Sequence, residues 1–576
     1  MPTKNRKKNY PLYETTHFSD FREMTERVAQ KYPDRVAFRW KTSPHDKETK
    51  TVTFTESRDA IRALTTELHS MELEGKRVAI IGAASVEWFF SYTALMTVGA
   101  VTVPIDKELP IADTASIINT AECVGIVYSA SLKDKVEELL TLCPTVKTLI
   151  TFGGELEGAL SYEALVSAGK EKLAGGDRSY FDYEIDREGL ASIVFTSGTT
   201  GKGKGVMLSL KNICSDMEQG MYNFNITPKT MFVLPPHHTF GSTVNFVGHF
   251  AQGCEVYISS GIKYILNELK EFKPTHLILV PLFVETFYKR IMATAEKTGK
   301  LATLKKGIKI SNMLRKVGID LRKKLFGESV LSNFGGELEM IICGGAALNQ
   351  SIIDFFEAIG VVILNGYGIT ECAPLISCNR NEYRRQGSVG MPIIGGVVKI
   401  DNTNEAGEGE ICYKGPNVML GYFGDEAATK AVIDEEGFFH TGDLGRVEIH
   451  DGEQWIFITG RSKNLIILSN GKNVYPEELE TDLQGIYGVS EVVVYEGLSQ
   501  DMHSTDVIVA EIYPDADALA LHNITDAKKY FEDEVKKINA KNAPYKAIGR
   551  VKIRNEEFPK NTSRKITRFK LDKTID

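Results

Sequence analysis

The residues from Ser192 to Ser209 have the composition of a phosphate-binding site. Their sequence is SIVFTSGTTGKGKGVMLS, in which an apolar run leads into a loop of glycine, serine and threonine with two lysines. Glycines let backbone amides close on an anion, hydroxyl groups add hydrogen-bond donors, and a lysine supplies a point charge. The loop differs from a Walker A loop, because Gly205 follows Lys204 where a serine or threonine would bind magnesium. We therefore predict a polyphosphate-binding loop whose metal ligands lie elsewhere.

Further polar segments supply the groups that such a loop lacks. The segment NGYGITE places Tyr367 to stack on a base, Thr370 to bond a phosphate and Glu371 to bind magnesium, which prefers oxygen ligands. In TGDLGR, Asp443 can accept hydrogen bonds from both hydroxyl groups of a ribose, and in GRSKN, Arg461 adds a cation. Each residue alone is more often a core or surface residue. Their occurrence together, in this order, favours a nucleotide-binding site.

Alternating helix and strand patterns surround these segments. Amphipathic stretches such as FTESRDAIRALTTELHSM alternate with apolar runs such as RVAIIGA, which is typical of parallel sheets covered by helices. Ligands of such sheets bind beyond the carboxyl ends of the strands, where the glycine-rich turns fall. We predict a large α/β N-terminal domain over residues 1–460, with a small β-rich subdomain at about 376–460. A small α+β C-terminal domain follows over residues 461–576.

The composition is that of an ordinary globular protein. The 576 residues are 43% hydrophobic and 25% charged, and the net charge of −8 argues against a general nucleic-acid-binding protein. The eight cysteines include no C-x-x-C pair, which favours reduced thiols in the cytosol over a disulfide framework or a zinc site. The 18 uncharged residues from Trp88 to Ile105 favour a buried helix and strand over a membrane span, because Gly99 interrupts them. We expect neither a secretory signal nor a transmembrane anchor.

The motifs, taken together, resemble those of the adenylate-forming superfamily, which includes acyl-CoA synthetases, luciferases and the adenylation domains of peptide synthetases. The resemblance spans roughly residues 15–570. The phosphate-binding loop is similar to TSGTTGKPKGV, with Gly203 in place of the usual proline, and this replacement is expected to loosen the loop. GGAAL resembles GGAPL, and NGYGITE, TGDLGR, GRSKN and NGKNVYPEELE all have counterparts in the family.

The resemblance implies which residues bind ATP and Mg²⁺. Thr196 and Glu371 are the implied magnesium ligands, and the loop from Ser197 to Lys204 holds the β- and γ-phosphates. Gly345 and Ala346 line the adenine site. The full set of implied nucleotide-binding residues is Ser197, Gly198, Thr199, Thr200, Gly201, Lys204, Gly345, Ala346, Tyr367, Gly368, Thr370, Asp443 and Arg461.

The resemblance also implies a two-step reaction. Lys565, in the C-terminal segment PKNTSRKITR, bridges the substrate carboxylate and the α-phosphate while acyl-AMP forms and pyrophosphate leaves. The family often has glycine before this lysine, where this chain has Arg564. The C-terminal domain then rotates about a hinge at Lys463, and the thiol of coenzyme A (CoA) attacks the acyl-AMP.

The segment LPPHHTFGSTVNFVGHF, residues 234–250, is predicted to line the substrate pocket. It contains no Asp or Glu to neutralise an amine, which disfavours an amino acid as substrate. Phe240, Val244, Phe246 and Val247 suit an apolar acyl chain. His238 matches a family position beside the substrate carboxylate, and we assign it a catalytic role; the alternative is a histidine packed in the pocket wall.

The segment Leu301–Phe326 is strongly basic. It carries eight Lys or Arg residues and one Asp, with apolar residues at helical spacing. A basic amphipathic helix can lie on an anionic membrane surface, although a solvated helix face fits the same pattern. An insertion at this place resembles the long-chain fatty acyl-CoA synthetases. We expect a cytoplasmic protein with peripheral contact at the inner face of a membrane.

The motifs and the resemblance together predict an ATP-dependent fatty acid–CoA ligase that releases pyrophosphate, with a fatty acid and CoA as its partners. The main alternative is transfer of the acyl group to the phosphopantetheine of an acyl carrier protein. A scaffold that binds nucleotide without catalysis is a third hypothesis. The intact set Thr196, Lys204, Glu371, Asp443 and Lys565 disfavours it.

Overall fold

The computed structural model describes residues 12–196, 203–469, 472–560 and 566–575. Up to the phosphate-binding loop, helices and strands alternate as predicted. The helix at Phe54–His69 begins with a capping box, in which Thr53 and Glu56 each accept a hydrogen bond from the other's backbone N–H. The elements are α1 (Phe21–Lys31), β1 (Val36–Trp40), β2 (Lys50–Thr53), α2 (Phe54–His69), β3 (Arg77–Ile81), α3 (Val86–Thr97), β4 (Val101–Ile105), α4 (Ile111–Thr120), β5 (Gly125–Ser129), α5 (Lys133–Leu142), β6 (Thr148–Phe152), β7 (Leu160–Ser161), α6 (Tyr162–Ala174), α7 (Ser179–Asp182), β8 (Leu190–Thr196) and β9 (Lys204–Ser209).

A second run of helices and strands follows β9. Between β10 and β11, residues Phe240–Gly248 of the segment predicted to line the substrate pocket form a π-helix. The elements are α8 (Leu210–Met221), β10 (Lys229–Phe232), α9 (His249–Ala251), β11 (Glu255–Ile258), α10 (Ile265–Phe272), β12 (His276–Leu279), α11 (Pro281–Lys297), α12 (Leu301–Lys316), α13 (Arg322–Phe326), β13 (Met340–Cys343), α14 (Gln350–Ile359), β14 (Val362–Gly368), β15 (Leu375–Cys378) and β16 (Met391–Pro392).

Shorter helices and longer hairpins make up the rest of the described chain. The elements are β17 (Val397–Asp401), β18 (Gly409–Lys414), β19 (Gly421–Tyr422), α15 (Glu426–Lys430), β20 (Phe439–His450), β21 (Glu453–Arg461), β22 (Ile466–Ile467), β23 (Asn473–Val474), α16 (Pro476–Gln484), β24 (Val489–Leu498), β25 (Ser504–Pro514), α17 (Ala516–Leu521), α18 (Ala527–Asn539) and β26 (Ile548–Ile553).

Two large sheets form the framework of the N-terminal part. One has eight strands in the order β19-β9-β8-β4-β3-β5-β6-β7, and the other has nine in the order β16-β15-β14-β13-β12-β10-β11-β1-β2. Most neighbouring strands run parallel, and β8 pairs with β9 in an antiparallel hairpin. Thr196 and Lys204, at the two ends of the phosphate-binding loop, pair in that hairpin and are held by the eight-stranded sheet.

The β-rich subdomain has a later start than predicted. Its own sheet contains β17, β18, β20 and β21 and begins at Val397. The earlier strands β15 and β16 extend the nine-stranded sheet, because the buried β15 pairs with the end of β14, where Tyr367 lies opposite Ser377. Likewise β19 joins the eight-stranded sheet through Tyr422 and Val206. The predicted boundary near 376 is therefore about 20 residues too early.

The uncharged segment from Trp88 to Ile105 is confirmed as a buried helix followed by a strand. It forms most of α3, which Ser85 caps, and all of β4. Trp88 is fully buried and stacks on Phe246, which in turn stacks on Phe232 with ring centroids 4.0 Å apart. Across the described ranges, no helix combines the length and the apolar character that a membrane span requires.

The C-terminal part has its own three-stranded sheet, β24-β25-β26, with α16 and α18 packed on it. Contacts with the N-terminal part include two hydrogen bonds. The Lys289 ammonium donates to the carbonyl oxygen of Val489 at 3.2 Å, and the Asn349 amide donates to the carbonyl oxygen of Thr481 at 2.9 Å. That this domain is mobile stays a prediction.

A pair of buried histidines joins the π-helix segment to the nine-stranded sheet. The Nε2 atoms of His249 and His276 lie 2.8 Å apart, so one ring donates and the other, which must be neutral, accepts. Burial lowers the pKa of His249 to about 4 and that of His276 well below its ordinary range. Both rings therefore resist protonation in the folded chain, and a proton on the accepting nitrogen would break the contact.

This pair predicts an acid-sensitive step in stability. The unfolded chain binds protons near the ordinary histidine pKa of about 6.5, while the folded chain resists them down to about pH 4. We expect the thermal midpoint to be highest above about pH 6.5 and to fall as the pH drops through that window. Thermal unfolding across pH 4.5–8 measures this. His249→Gln should flatten the dependence, whereas the exposed control His45→Gln should not; equal slopes for all three proteins would contradict the assignment.

Candidate active site

The hairpin β8–β9 brings the two ends of the phosphate-binding loop together. Thr196 pairs with Lys204 across the hairpin, and its hydroxyl group donates to the Lys204 carbonyl oxygen at 3.4 Å. A Cβ atom added to Gly203 would lie 2.9 Å from the carbonyl oxygen of Thr196, which is closer than such atoms pack. The glycine expected only to loosen the loop thus also permits a close backbone approach. The predicted residues Ser197, Gly198, Thr199, Thr200 and Gly201 lie outside the described residues.

Tyr422 links the lysine of this hairpin to the predicted metal ligand. The Lys204 ammonium lies 4.4 Å from the centre of the Tyr422 ring, and the Tyr422 hydroxyl group donates to Glu371 Oε1 at 2.9 Å. Burial, with the neighbouring Glu371, raises the pKa of Tyr422, so the phenol keeps its proton and remains a donor. Sequence analysis missed Tyr422, which reaches the site because β19 pairs with β9.

The donor atoms at this place fit a magnesium ion. Glu371 offers a carboxylate of which Tyr422 uses one oxygen, and Thr196 offers a hydroxyl group at the end of β8. The turn at Thr370–Cys372 that carries Glu371 contacts β9 directly. Magnesium takes hard oxygen ligands and keeps several waters, so a few protein oxygens suffice. Thr196 and Glu371 are thus the residues that would hold the ion.

A buried polar network fixes the turn that carries Glu371. The Asn417 amide nitrogen donates to Asp216 Oδ1 at 2.9 Å, and to the carbonyl oxygens of Cys372 and Leu375, both at 2.7 Å. Asp216 Oδ1 also accepts from the Leu375 N–H at 2.9 Å. Burial raises the pKa of Asp216 well above its ordinary range, which disfavours a second ionised carboxylate in this network.

Asp443 is held on both sides. The Tyr367 hydroxyl group donates to Asp443 Oδ2 at 2.7 Å, and Arg461 Nε lies 2.8 Å from Oδ1. Strand pairing explains the second contact, since Asp443 and Arg461 are partners in the β20–β21 hairpin. A carboxylate has about four lone-pair positions, so each oxygen can still accept a ribose hydroxyl group. Asp443 is 3% exposed, which fixes its orientation.

Tyr367 has a second role that its sequence context did not predict. It is buried, and its hydroxyl group is committed to Asp443, so the ring face is what it offers to a base. The next residue, Gly368, has no room for a side chain, because an added Cβ atom would lie 2.1 Å from the Pro374 carbonyl oxygen. Thr370 is nearly buried at the start of the next turn. Gly345 and Ala346 are exposed just after β13, beside the end of β14.

His238 lies at the entrance to the π-helix. Its Nδ1 atom accepts from the Phe240 N–H at 3.2 Å, and its carbonyl oxygen accepts from the Gly241 N–H at 2.7 Å. The choice between a packed and a catalytic histidine therefore stays open. Of the predicted pocket residues, Val244, Phe246 and Val247 lie in the hydrophobic core. Phe240 approaches the site, within 3.4 Å of where a Cβ atom on Gly344 would be.

A family comparison decides the general class of this site. The sequence profile of the family described as "AMP-binding enzyme" matches residues 25–423, which is more than half of the chain. The chain belongs to the AMP-binding enzyme family. The predicted resemblance to adenylate-forming enzymes is thereby confirmed.

Curated relatives of this AMP-binding enzyme are acid–thiol ligases by name. A chloroplastic long-chain-fatty-acid–[acyl-carrier-protein] ligase of Arabidopsis thaliana is 28% identical, over 84% of this chain and 75% of the relative. A long-chain-fatty-acid–CoA ligase of Mycobacterium bovis is 29% identical, over 77% of this chain and 75% of the relative. The crystal structure of an anthranilate CoA ligase in complex with anthranoyl-AMP has a TM-score of 0.76 at 20% identity and 97% coverage of both chains. The predicted fold is thereby confirmed.

Side-chain hydrogen bonds on either side of the predicted hinge of this AMP-binding enzyme reach different parts of the chain. Lys463 lies in a single 3₁₀ turn, Ser462–Asn464, between β21 and β22. Before it, the Ser462 hydroxyl group donates to the carbonyl oxygen of Gly442 at 3.0 Å. After it, the Asn464 amide donates to Glu477 Oε1 at 2.6 Å. The predicted catalytic residue Lys565 lies outside the described residues.

We predict that Tyr422→Phe weakens the metal end of this site. The variant keeps the ring beneath Lys204 but removes the hydrogen bond to Glu371. A hydrogen bond to a charged group contributes about 1.5–3 kcal/mol, so we expect a roughly ten- to hundredfold loss of kcat/KM for ATP in pyrophosphate exchange. The loss should be partly recovered by raising the magnesium concentration.

Tyr383→Phe is the matched control for this test. Its hydroxyl group donates to Asp451 Oδ2 at 2.7 Å, so the chemical change is the same at a distant tyrosine–carboxylate pair. We expect this control to retain wild-type exchange. Equal activity of Tyr422→Phe and Tyr383→Phe would refute the role of Tyr422.

Proposed function

We propose that the protein is an ATP-dependent fatty acid–CoA ligase that forms an acyl-AMP and transfers the acyl group to CoA. One observation carries the proposal: a single turn, residues 367–371, serves both ends of the nucleotide. Its Tyr367 fixes the ribose-binding Asp443, and its Glu371 joins Lys204 through Tyr422 at the phosphate end. A site that holds ribose and triphosphate from one rigid turn leaves the α-phosphate between them for attack.

In the first step, an oxygen of the fatty acid carboxylate attacks the α-phosphorus of ATP. A phosphorus–oxygen bond forms, the bond from that phosphorus to the bridging oxygen breaks, and pyrophosphate leaves with the electron pair. Lys204 and the family-assigned Lys565 offset the repulsion between the two anions and stabilise the charge of the transition state. Magnesium, when bound by Thr196 and Glu371, neutralises phosphate charge.

In the second step, the sulfur of CoA attacks the acyl carbon, and AMP leaves with the oxygen that had joined it to the acyl group. The thiol proton passes to solvent. Asp443 and Arg461 keep AMP in place while this happens, because both lie on the N-terminal side of the hinge. Lys565 leaves the site when the C-terminal domain rotates about Lys463.

The names of the relatives and the segment 234–250 support a fatty acid as the substrate. This segment has no acidic residue to bind a substrate amine, and its Phe240 approaches the adenine side of the site. The Mycobacterium bovis relative is named a long-chain-fatty-acid–CoA ligase. We propose that His238, just before the π-helix, acts beside the substrate carboxylate.

Transfer to an acyl carrier protein is the second candidate. It is favoured by the name of the Arabidopsis thaliana relative, which covers 84% of this chain. Both candidates share the first step and differ only in the thiol that accepts the acyl group. The same active-site residues serve either acceptor, so the choice rests on the surface that the acceptor approaches.

Pyrophosphate exchange across a panel of acids, from acetate to oleate with aromatic acids included, tests the proposal. We expect exchange to depend on the carboxylate and to rise with chain length, and Lys565→Ala should abolish it. CoA and holo-carrier protein are then compared as acceptors of preformed acyl-AMP. Thioester on CoA supports the first candidate, and thioester on the carrier protein alone supports the second. No exchange with any acid would support the non-catalytic scaffold instead.

We propose, in addition, that the segment 301–326 contacts an anionic membrane from the cytoplasmic side. It forms two helices, α12 and α13, separated at Gly318, whose φ is +83°. Along α12, Ile310, Met313 and Val317 form an exposed apolar stripe, with Met313 62% and Val317 71% exposed. Exposed lysines flank this stripe, namely Lys305, Lys306, Lys309 and Lys316. Apolar insertion with basic flanks suits an anionic lipid surface.

Flotation with vesicles tests the membrane proposal. Vesicles with 30% anionic lipid should carry the protein upward at low salt, and neutral vesicles should not. Replacing Lys305, Lys306 and Lys309 by Glu should abolish flotation. The same reversal at the exposed Lys528, Lys529 and Lys541 near and on α18 is the charge-matched control and should leave it intact. Flotation lost equally in both triple variants would show that only net charge matters and would overturn the proposal.

A further inference from the structure

Three adjacent strands of the β-rich subdomain place an aspartate, a cysteine and a histidine on one face of their sheet. Cys412 on β18 pairs with Lys399 on β17 and with His440 on β20. Asp401 is two residues from Lys399 and so points to the same face. One carboxylate oxygen of Asp401, the Cys412 sulfur and one ring nitrogen of His440 all lie within 4.8 Å of one another. The topology thus gathers three possible metal ligands from distant parts of the sequence.

The chemistry of the three groups fits one class of ion. A thiolate, an imidazole nitrogen and a carboxylate oxygen are the ligands that zinc takes, at about 2.0–2.3 Å. Around a tetrahedral ion, ligand atoms at those bond lengths lie roughly 3.5 Å apart. The Cys412 sulfur and His440 Nδ1 already lie 3.4 Å apart. The pair therefore needs almost no movement, and Asp401 needs a shift of about an ångström.

The surroundings of His440 supply an independent indication. Its Nε2 atom lies 3.6 Å from Asp434 Oδ2, and that carboxylate is held by the Lys399 ammonium at 3.0 Å. A histidine that binds a metal through one ring nitrogen commonly donates its other N–H to a carboxylate. Here Nδ1 faces Cys412 and Glu410, and Nε2 faces Asp434. An ion bound at Nδ1 would therefore leave Nε2 on the side of the Asp434 carboxylate.

Glu410 can supply a fourth ligand. Glu410 Oε2 lies 3.0 Å from His440 Nδ1, on the same side of the ring as Cys412. Its other oxygen accepts from the Gly442 N–H at 2.9 Å, which fixes the carboxylate. Cys412 is fully buried, while Asp401 and His440 are partly exposed, so an ion can enter from solvent.

We propose that Asp401, Cys412 and His440, with Glu410 as the fourth ligand, form a zinc site. This site is separate from the magnesium ligands Thr196 and Glu371, and it does not depend on the proposed ligase activity. It also departs from the expectation that the cysteines argue against zinc. The expectation rested on the absence of cysteines close together in sequence, whereas these ligands are brought together by the pairing of three strands.

Metal binding to the full-length protein tests the site, with zinc and cobalt alone as probes. Titration of the metal-free protein against a chromophoric zinc chelator should give one tight site per chain. Cobalt in that site should show near-ultraviolet sulfur-to-metal charge transfer and the visible bands of tetrahedral coordination. Cys412→Ser should remove the charge-transfer band and weaken zinc binding by about a hundredfold or more, since even losing an outer partner costs 10–100-fold.

Two further variants keep the outcome decisive. Asp401→Asn changes a partly exposed residue, so it should fold, and it should weaken zinc binding at least tenfold. Cys143→Ser removes another buried thiol and is the matched control, which should bind zinc as the wild type does. Circular dichroism checks that each variant is folded. Absence of a tight zinc site in the wild type would overturn the proposal, and so would unchanged zinc binding in Cys412→Ser and Asp401→Asn.

Discussion

A lysine that binds phosphate and a carboxylate that binds a metal ion must stand close together without neutralising each other. Two unit charges 4 Å apart attract by about 4 kcal/mol near a protein surface, which is enough to close such a site as an ion pair. Tyr422 prevents this, because its ring lies under Lys204 while its hydroxyl group bonds Glu371. Lys204 and Glu371 each contact this neutral side chain, so both charged groups remain available to ATP. The rest of the site depends on this spacing.

A buried polar network holds the turn that carries Glu371. Glu371 stands on a turn whose backbone is fixed by Asn417 and Asp216, both fully buried. Burial raises the pKa of Asp216 well above its ordinary range, which disfavours a second ionised carboxylate in the network that holds this turn. At the other end of the turn, Tyr367 commits its hydroxyl group to Asp443. One segment thus spaces the predicted ribose-binding Asp443 from the predicted metal ligand Glu371.

How far sequence predicts this structure depends on whether the information is local. Thr196, Lys204, Glu371 and Asp443 each lie in a short contiguous motif, and the buried segment at Trp88 shows its helix and strand through local pattern alone. Tyr422 could not be found this way, because its role follows from the pairing of β19 with β9. The start of the β-rich subdomain was misplaced for the same reason: β15 has the composition of a short strand, but only its partner β14 tells which sheet it joins. Asp401, Cys412 and His440 are likewise close only through register.

A hinge at Lys463, which stays a prediction, would allow one site to serve two steps. A change of backbone angle at Lys463 moves everything after it and nothing before it. Arg461 and Ser462 bond to Asp443 and Gly442 on the N-terminal side, while Asn464 bonds to Glu477 on the C-terminal side. Rotation at Lys463 would therefore carry Lys565 away and leave the ribose-binding contacts whole. If the domain rotates there, the hydrogen bond from the Leu465 N–H to the Arg461 carbonyl oxygen, which spans Lys463, must change, whereas the contact between Asp443 and Arg461 need not.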